Sequence, residues 1–294
     1  MDIEERTVIF RSERRRECDE RALVLTAVGV DAWTMRGPDG YRLEVRPGDA
    51  GYAAQHLLQY ESENRPTAPP PPAPRLHPHA WVGCVLYALT LLAVAWLVSD
   101  GRVRLDAFDL GELDAERVRA GEWWRAWTAL TLHLDAPHLV ANLGAGAWFG
   151  WLAARQMGVG LAWFLTVTGA ALANLLEGAF APPGHRSVGA STAVFSALGA
   201  MAAYSWRERY ALPQRWARRW GPLVAGVILL GWTGSEGENT DVFAHLAGFG
   251  VGALLGATAA HGGVRRALER VPQALSGAVA LASVAIAWTW ALTR

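Results

Sequence analysis

Hydrophobic and polar residues are segregated along this chain of 294 residues. The first sixty-five positions mix the two; beyond them, long apolar runs alternate with short charged clusters. Seven runs contain no Asp, Glu, Lys or Arg: Ala80–Val98, Pro137–Ala154, Gln156–Leu176, Ser187–Trp206, Trp220–Ser235, Val242–Val264 and Ala274–Leu292. A hydrocarbon layer about 30 Å thick takes about 20 apolar residues to cross as a helix, at a rise of about 1.5 Å each. The seven runs meet or approach that length, the fifth being the shortest. Because hydrocarbon offers no partner to a free N–H or C=O, they are expected to be helices. A helix buried in a soluble core is the alternative for any single run, but seven in succession point to a membrane.

Arginine placement orients the expected helices. With the N-terminus inside, the inner connections carry Arg155, then Arg207, Arg209, Arg215, Arg218 and Arg219, then Arg265, Arg266 and Arg270. The outer connections carry Arg186 alone in one, and Glu236, Glu238 and Asp241 in another. The connection Asp100–Ala136 is long and mixed. This assignment puts the N-terminus in the cytoplasm and the C-terminus outside. Ahead of the first run, Pro69-Pro70-Pro71-Pro72 marks a stiff extended spacer and a boundary. Before it, Cys18–Val28 reads as a helix. Asp31–Met35 and Tyr41–Val45 alternate around Gly37-Pro38-Asp39-Gly40 as a hairpin, and Ala50–Glu61 has helical spacing. The division expected is a small α+β cytoplasmic module over 1–65, a Pro-rich linker over 66–78, a six-helix membrane core over 79–264, and a seventh transmembrane helix within 265–294.

Composition narrows the function. Basic and acidic residues balance at 27 each, all the basic ones being arginine, so no electrostatic case for nucleic acid exists. Cys18 and Cys84 do not make a disulfide framework. The charged start Met1-Asp2-Ile3-Glu4-Glu5-Arg6 lacks the apolar core of a secretory signal.

The informative residues are polar ones inside the apolar runs, where they are costly. His138 and Asn142, at i and i+4, share one helix face near the outer end of the second run. Ser191, in Gly189-Ala190-Ser191-Thr192, opens the fourth run, and His245, in Ala244-His245-Leu246-Ala247-Gly248, opens the sixth. Topology alone puts all four at a similar shallow outer depth. Singly, each has an ordinary reading: a serine bonded to its own i−4 carbonyl, an interfacial histidine, an asparagine joining two helices. Together they supply what acyl transfer needs, a hydroxyl nucleophile, a base and hydrogen-bond donors for an oxyanion. Gly248, Gly252 and Gly256 form overlapping GxxxG steps, and Gly199 lies on roughly the face of Ser191, so the fourth and sixth helices could approach closely.

Over residues 80–264 the pattern resembles the rhomboid intramembrane serine proteases. Glu122-Trp123-Trp124-Arg125 is similar to the family's Trp-Arg motif, His133 with His138 and Asn142 to its spaced histidine and asparagine pattern, Gly189-x-Ser191 to its nucleophile motif, and Ala244-His245-x-x-Gly248 to its base motif. The resemblance implies a Ser191–His245 dyad without a third carboxylate, cleaving transmembrane segments of membrane-protein substrates in the lipid bilayer. It implies an oxyanion held by His138, Asn142 and the Ser191 N–H, and an aromatic Phe195 packed on the base, although ordinary helix packing explains Phe195 equally well. Trp124 and Arg125 would shape the outer loop; alone they would read as an interfacial belt with a snorkelling arginine. No cofactor and no metal is implied, and a bacterial inner membrane is the expected location. Thr192 departs from the glycine usual after the nucleophile, and the seventh helix adds to the six-helix core. The rival readings are a catalytically silent relative that binds membrane clients and, because intramembrane carboxylates are missing from the runs, less readily a transporter.

Overall fold

A computed structural model describes residues 5–64, 76–99, 107–210, 216–233 and 241–294. Pro69–Pro72 of the expected linker, Arg215, and Glu236 and Glu238 lie outside the described residues. The chain divides into two compact units, Met1–Pro72 and Ala73–Arg294.

In the first unit the order is β1 (Thr7–Ser12), α1 (Arg15–Ala27), β2 (Ala32–Gly37), β3 (Gly40–Val45) and α2 (Ala50–Glu63). The strands form one antiparallel sheet in the order β1-β3-β2, and the β2–β3 hairpin closes at Gly37 opposite Gly40. Gly40 has φ 118°, which a side chain would oppose, and a β-carbon there would stand 2.6 Å from the Ser12 carbonyl oxygen. Leu43 and Val45 point inward onto Leu25, Ala53 and Leu57, as the period-2 pattern of β3 requires. The sequence reading passed over β1, whose alternation is broken by a register shift between Val8 and Phe10.

The second unit is almost wholly helical. After α3 (Trp81–Ser99), the connection to the next long helix is built from α4 (Ala107–Gly111), β4 (Leu113–Asp114), α5 (Ala115–Arg119), α6 (Arg125–Thr128) and a 3-10 turn at Ala129–Thr131. The long helices α7 (Ala136–Met157), α8 (Val159–Phe180), α9 (Ser191–Tyr210), α10 (Trp216–Thr233) and α11 (Val242–Ala259) follow, with β5 (Arg186–Ser187) before α9. Short α12 (Gly262–Leu268) and long α13 (Gln273–Thr293) complete the chain. Among the described residues four helices, α3, α8, α11 and α13, are long and apolar enough to cross a membrane, which makes this an integral multi-pass membrane protein. The other three runs are also helical, in α7, α9 and α10, but those helices take in charged residues at their ends, among them Arg155, Arg207 and Glu208.

Helix starts are set by side-chain caps. Asp135 accepts the His138 N–H at 2.7 Å with Pro137 in the first turn of α7, and Asp241 accepts the Ala244 N–H at 2.9 Å at the start of α11. Gly158, at φ 89°, ends α7 and opens α8 directly. The centre of the unit is α9, buried along most of its length through Ala193, Val194, Leu198, Ala200 and Ala203. The glycine stripe has the consequence its spacing implies. A β-carbon on Gly252 or Gly256 would overlap the carbonyl oxygens of Ser196 or Ala200, and one on Gly199 would overlap that of Phe249. Helices α9 and α11 therefore meet backbone to backbone.

One expectation is corrected. The run ending at Leu176 continues as helix to Phe180, so α8 carries Glu177, which has no exposed surface. An acidic side chain does lie in an apolar helix, with its Oε1 accepting the Ser187 hydroxyl at 2.6 Å near the helix end. In α13 the Trp288 indole N–H donates to Thr131 Oγ1 at 2.9 Å, and the ring packs with Trp124, Ala287 and Ala291. The seventh run is thus joined to the α3–α7 connection by a specific contact.

Candidate active site

Gly189 precedes α9 with φ 133°, a backbone conformation that disfavours any side chain. Space makes the same demand. A β-carbon at Gly189 would stand 2.7 and 2.8 Å from Cε1 and Nε2 of His138, and 3.6 Å from Nδ2 of Asn142. The His138 ring and the Asn142 amide, one turn apart on α7, therefore face the backbone immediately before Ser191, the first residue of α9. Asn142 is buried, and its Nδ2 finds no hydrogen-bond partner among the described residues. A buried, unpaired amide is costly, so a donor left open at this point marks a place where an acceptor would be stabilised. The Asn142 backbone is fixed from behind, where its carbonyl accepts the Tyr87 hydroxyl at 2.8 Å.

Across the α9–α11 contact, His245 occupies the first turn of α11 and is buried. The Phe195 ring, one turn beyond Ser191, lies 4.4 Å from the His245 ring, centre to centre, at 37°. That contact restricts how the imidazole can turn. Gly248, one turn on from His245, faces Thr192: a β-carbon there would meet the Thr192 carbonyl oxygen at 2.7 Å and its methyl at 3.2 Å. Thr192 is buried at this seam, so its β-branched side chain is accommodated by the missing side chain opposite.

The α3–α7 connection closes over this group. His133 Nε2 accepts the Ala190 N–H at 3.4 Å, the His133 and His138 rings pack edge to face at 5.1 Å, and the Gly189 N–H donates to the Ala129 carbonyl at 3.0 Å. Burial, together with the neighbouring His138, holds the His133 pKa down at about 4, so this ring is neutral at pH 7. Trp124 and Arg125 do not join the group. Arg125 is 1% exposed, and its guanidinium bonds to the Glu122 carboxylate at 2.6 Å and to the Glu112 and Asp109 carbonyls at 2.8 and 2.7 Å. The snorkelling alternative is thereby excluded: Arg125 fastens the connection from inside. Trp124 is buried and donates to the Leu110 carbonyl at 3.3 Å.

One cluster escaped the sequence reading. His185 Nε2 lies 2.6 Å from Glu177 Oε1 and 3.0 Å from Asp241 Oδ2. The signal available was Glu177 itself, a lone acid closing an apolar run.

His138 and Asn142 thus lie beside the backbone that leads into Ser191, and a second histidine, His245, lies on the abutting helix α11. Residues 120–262 match the family model for the rhomboid domain. The chain is also 31% identical over 153 residues to the RHOMBOID-like protein 1 of Arabidopsis thaliana, a match covering 50% of this chain and 37% of that relative. Residues 120–262 are thus similar to the rhomboid domain.

Proposed function

We propose that the chain is an intramembrane serine endopeptidase that cleaves transmembrane segments of partner proteins through Ser191 and His245. In this reading the Ser191 hydroxyl adds to the scissile carbonyl as His245 takes its proton, giving a tetrahedral oxyanion. His138, the Asn142 amide and the Ser191 N–H donate to that oxyanion. Its collapse breaks the C–N bond, His245 returns the proton to the leaving amine, and water then releases the acyl group by the same steps in reverse roles. His133, Gly189, Phe195 and Gly248 hold these groups in position, while Trp124 and Arg125 hold the connection that covers them. Residues 1–65 form a cytoplasmic module and the site opens on the outer side of a bacterial inner membrane, with a six-helix core and α13 added to it.

The observation carrying this reading is the Asn142 amide beside Gly189, without a partner among the described residues, together with His245 held against Phe195, one turn along α9 from Ser191. A second reading, a silent client-binding protein, is favoured by Thr192 at the α9–α11 seam. Purified protein in liposomes is treated with a fluorophosphonate, alongside a model transmembrane substrate. Labelling and cleavage are expected in the wild type and are lost in Ser191→Ala and His245→Ala. A folded wild type that neither labels nor cleaves overturns the protease reading in favour of the binding one.

A further inference from the structure

We propose that Glu177, His185 and Asp241 form a binding site for a divalent transition-metal ion of the zinc class, separate from the Ser191–His245 group. The donor atoms come from the end of α8, the α8–α9 connection and the cap of α11, and all lie within 4.8 Å of one another. Zinc holds imidazole nitrogen and carboxylate oxygen at about 2.0–2.2 Å, so tetrahedral donors stand about 3.3 Å apart. The observed separations of 2.6 and 3.0 Å therefore need to widen by less than about 1 Å to admit the ion.

A ligand is also called for by unmet bonding. Glu177 has no exposed surface, and its Oε2 accepts no hydrogen bond among the described residues. The same holds for the buried Oδ2 of Asp241, apart from its ion pair with His185. Two carboxylates this close, one wholly buried, do not both stay charged without a proton or a cation between them.

The other bonds of the cluster aim the donors. Ser187 Oγ donates to Glu177 Oε1 at 2.6 Å, fixing that carboxylate. The Ala244 N–H occupies Asp241 Oδ1 at 2.9 Å, which leaves Oδ2 directed at His185. The side chains of His185 and Asp241 are 25% and 19% exposed, giving an ion a way in and a water a fourth position. Two carboxylates and one imidazole suit zinc, whereas all-oxygen sites suit magnesium and calcium. Bound there, the ion would tie α8 to the start of α11, one turn ahead of His245.

The test uses the untagged full chain, stripped with a chelator in detergent and titrated with Zn²⁺ and with Co²⁺. One equivalent of zinc per chain by elemental analysis, a rise in melting temperature with zinc, and a visible d–d spectrum with cobalt are expected. His185→Gln and the isosteric Glu177→Gln, each checked for native helix content, are expected to bind at least about tenfold more weakly. If one variant fails to fold, the other decides. A wild type that retains well under one equivalent overturns the proposal, leaving a cluster held by shared protons alone. Undiminished binding in a folded variant overturns it too, by placing the ion on other histidines.

Discussion

Replacing Gly189 by alanine tests the proposed oxyanion site with one carbon atom. The new β-carbon would stand 2.7 and 2.8 Å from the His138 ring, closer than such contacts tolerate, and 3.6 Å from the Asn142 amide, which is ordinary contact. The His138 ring must therefore move while Asn142 can stay. Alanine at φ 133° also strains the backbone, at about 1–3 kcal/mol. Loss of one oxyanion donor lowers kcat by about 10²–10³-fold, or about 2.7–4 kcal/mol of transition-state stabilisation. Gly189→Ala is accordingly expected to lose about 1–3 kcal/mol of stability and about 10²–10³-fold in single-turnover cleavage of a transmembrane substrate in liposomes. A double-mutant cycle separates the two effects. With His138→Ala the ring is absent, so adding Gly189→Ala should cost little further rate while the stability loss persists. The reasoning is refuted if Gly189→Ala cleaves at the wild-type rate, or if its kinetic cost is the same with and without the His138 ring.

Three further outcomes follow from the packing and the titrating groups. Gly252→Ala should destabilise by about 1–3 kcal/mol, because its methyl would overlap the Ser196 carbonyl, whereas Gly250→Ala, with open space around it, should leave the melting temperature unchanged; equal melting temperatures for the two would contradict the backbone contact. Arg125→Ala should cost about 3–5 kcal/mol by leaving Glu122 and two carbonyls without their donor, and hydrogen exchange over residues 107–128 should rise; unchanged exchange there would count against its internal role. For Asp114, burial favours protonation, but the Glu116 and Arg117 N–H groups with the Arg186 and Arg117 charges hold the carboxyl below its ordinary pKa. A lowered pKa means this stabilisation is complete above the unfolded value of about 3.9 and is lost as pH falls through the folded one. Exchange protection of α5 should therefore fail only below about pH 4; failure by about pH 5 would refute the cap's charge as its cause.

His133 makes a separate claim about pH. Its pKa of about 4 lies below the unfolded histidine value of about 6.5, so it adds stability at neutral pH that is lost as pH falls between those values. Histidine-resolved NMR should find one ring still neutral at pH 5, and its disappearance in His133→Gln would assign it.

Apolar runs, glycine spacing and the four motif groups were legible because each rests on local rules: the length hydrocarbon demands, the 3.6-residue period, and the residue types acyl transfer uses. The same rules placed the β2–β3 hairpin through its turn residues. They could not reach β1, whose bulge erases its alternation, nor the end of α8, where the apolar run stops before the helix does. Only tertiary packing decided that Gly189 lies against His138 and Phe195 against His245, that Arg125 is enclosed by backbone carbonyls, and that Trp288 reaches Thr131. Glu177, His185 and Asp241 fit no spaced motif, since they come together only where the ends of α8 and α11 converge. Sequence carries what a segment needs by itself; which polar groups compensate one another depends on which helix ends are neighbours, and that is set by close packing along the glycine seam of α9 and α11.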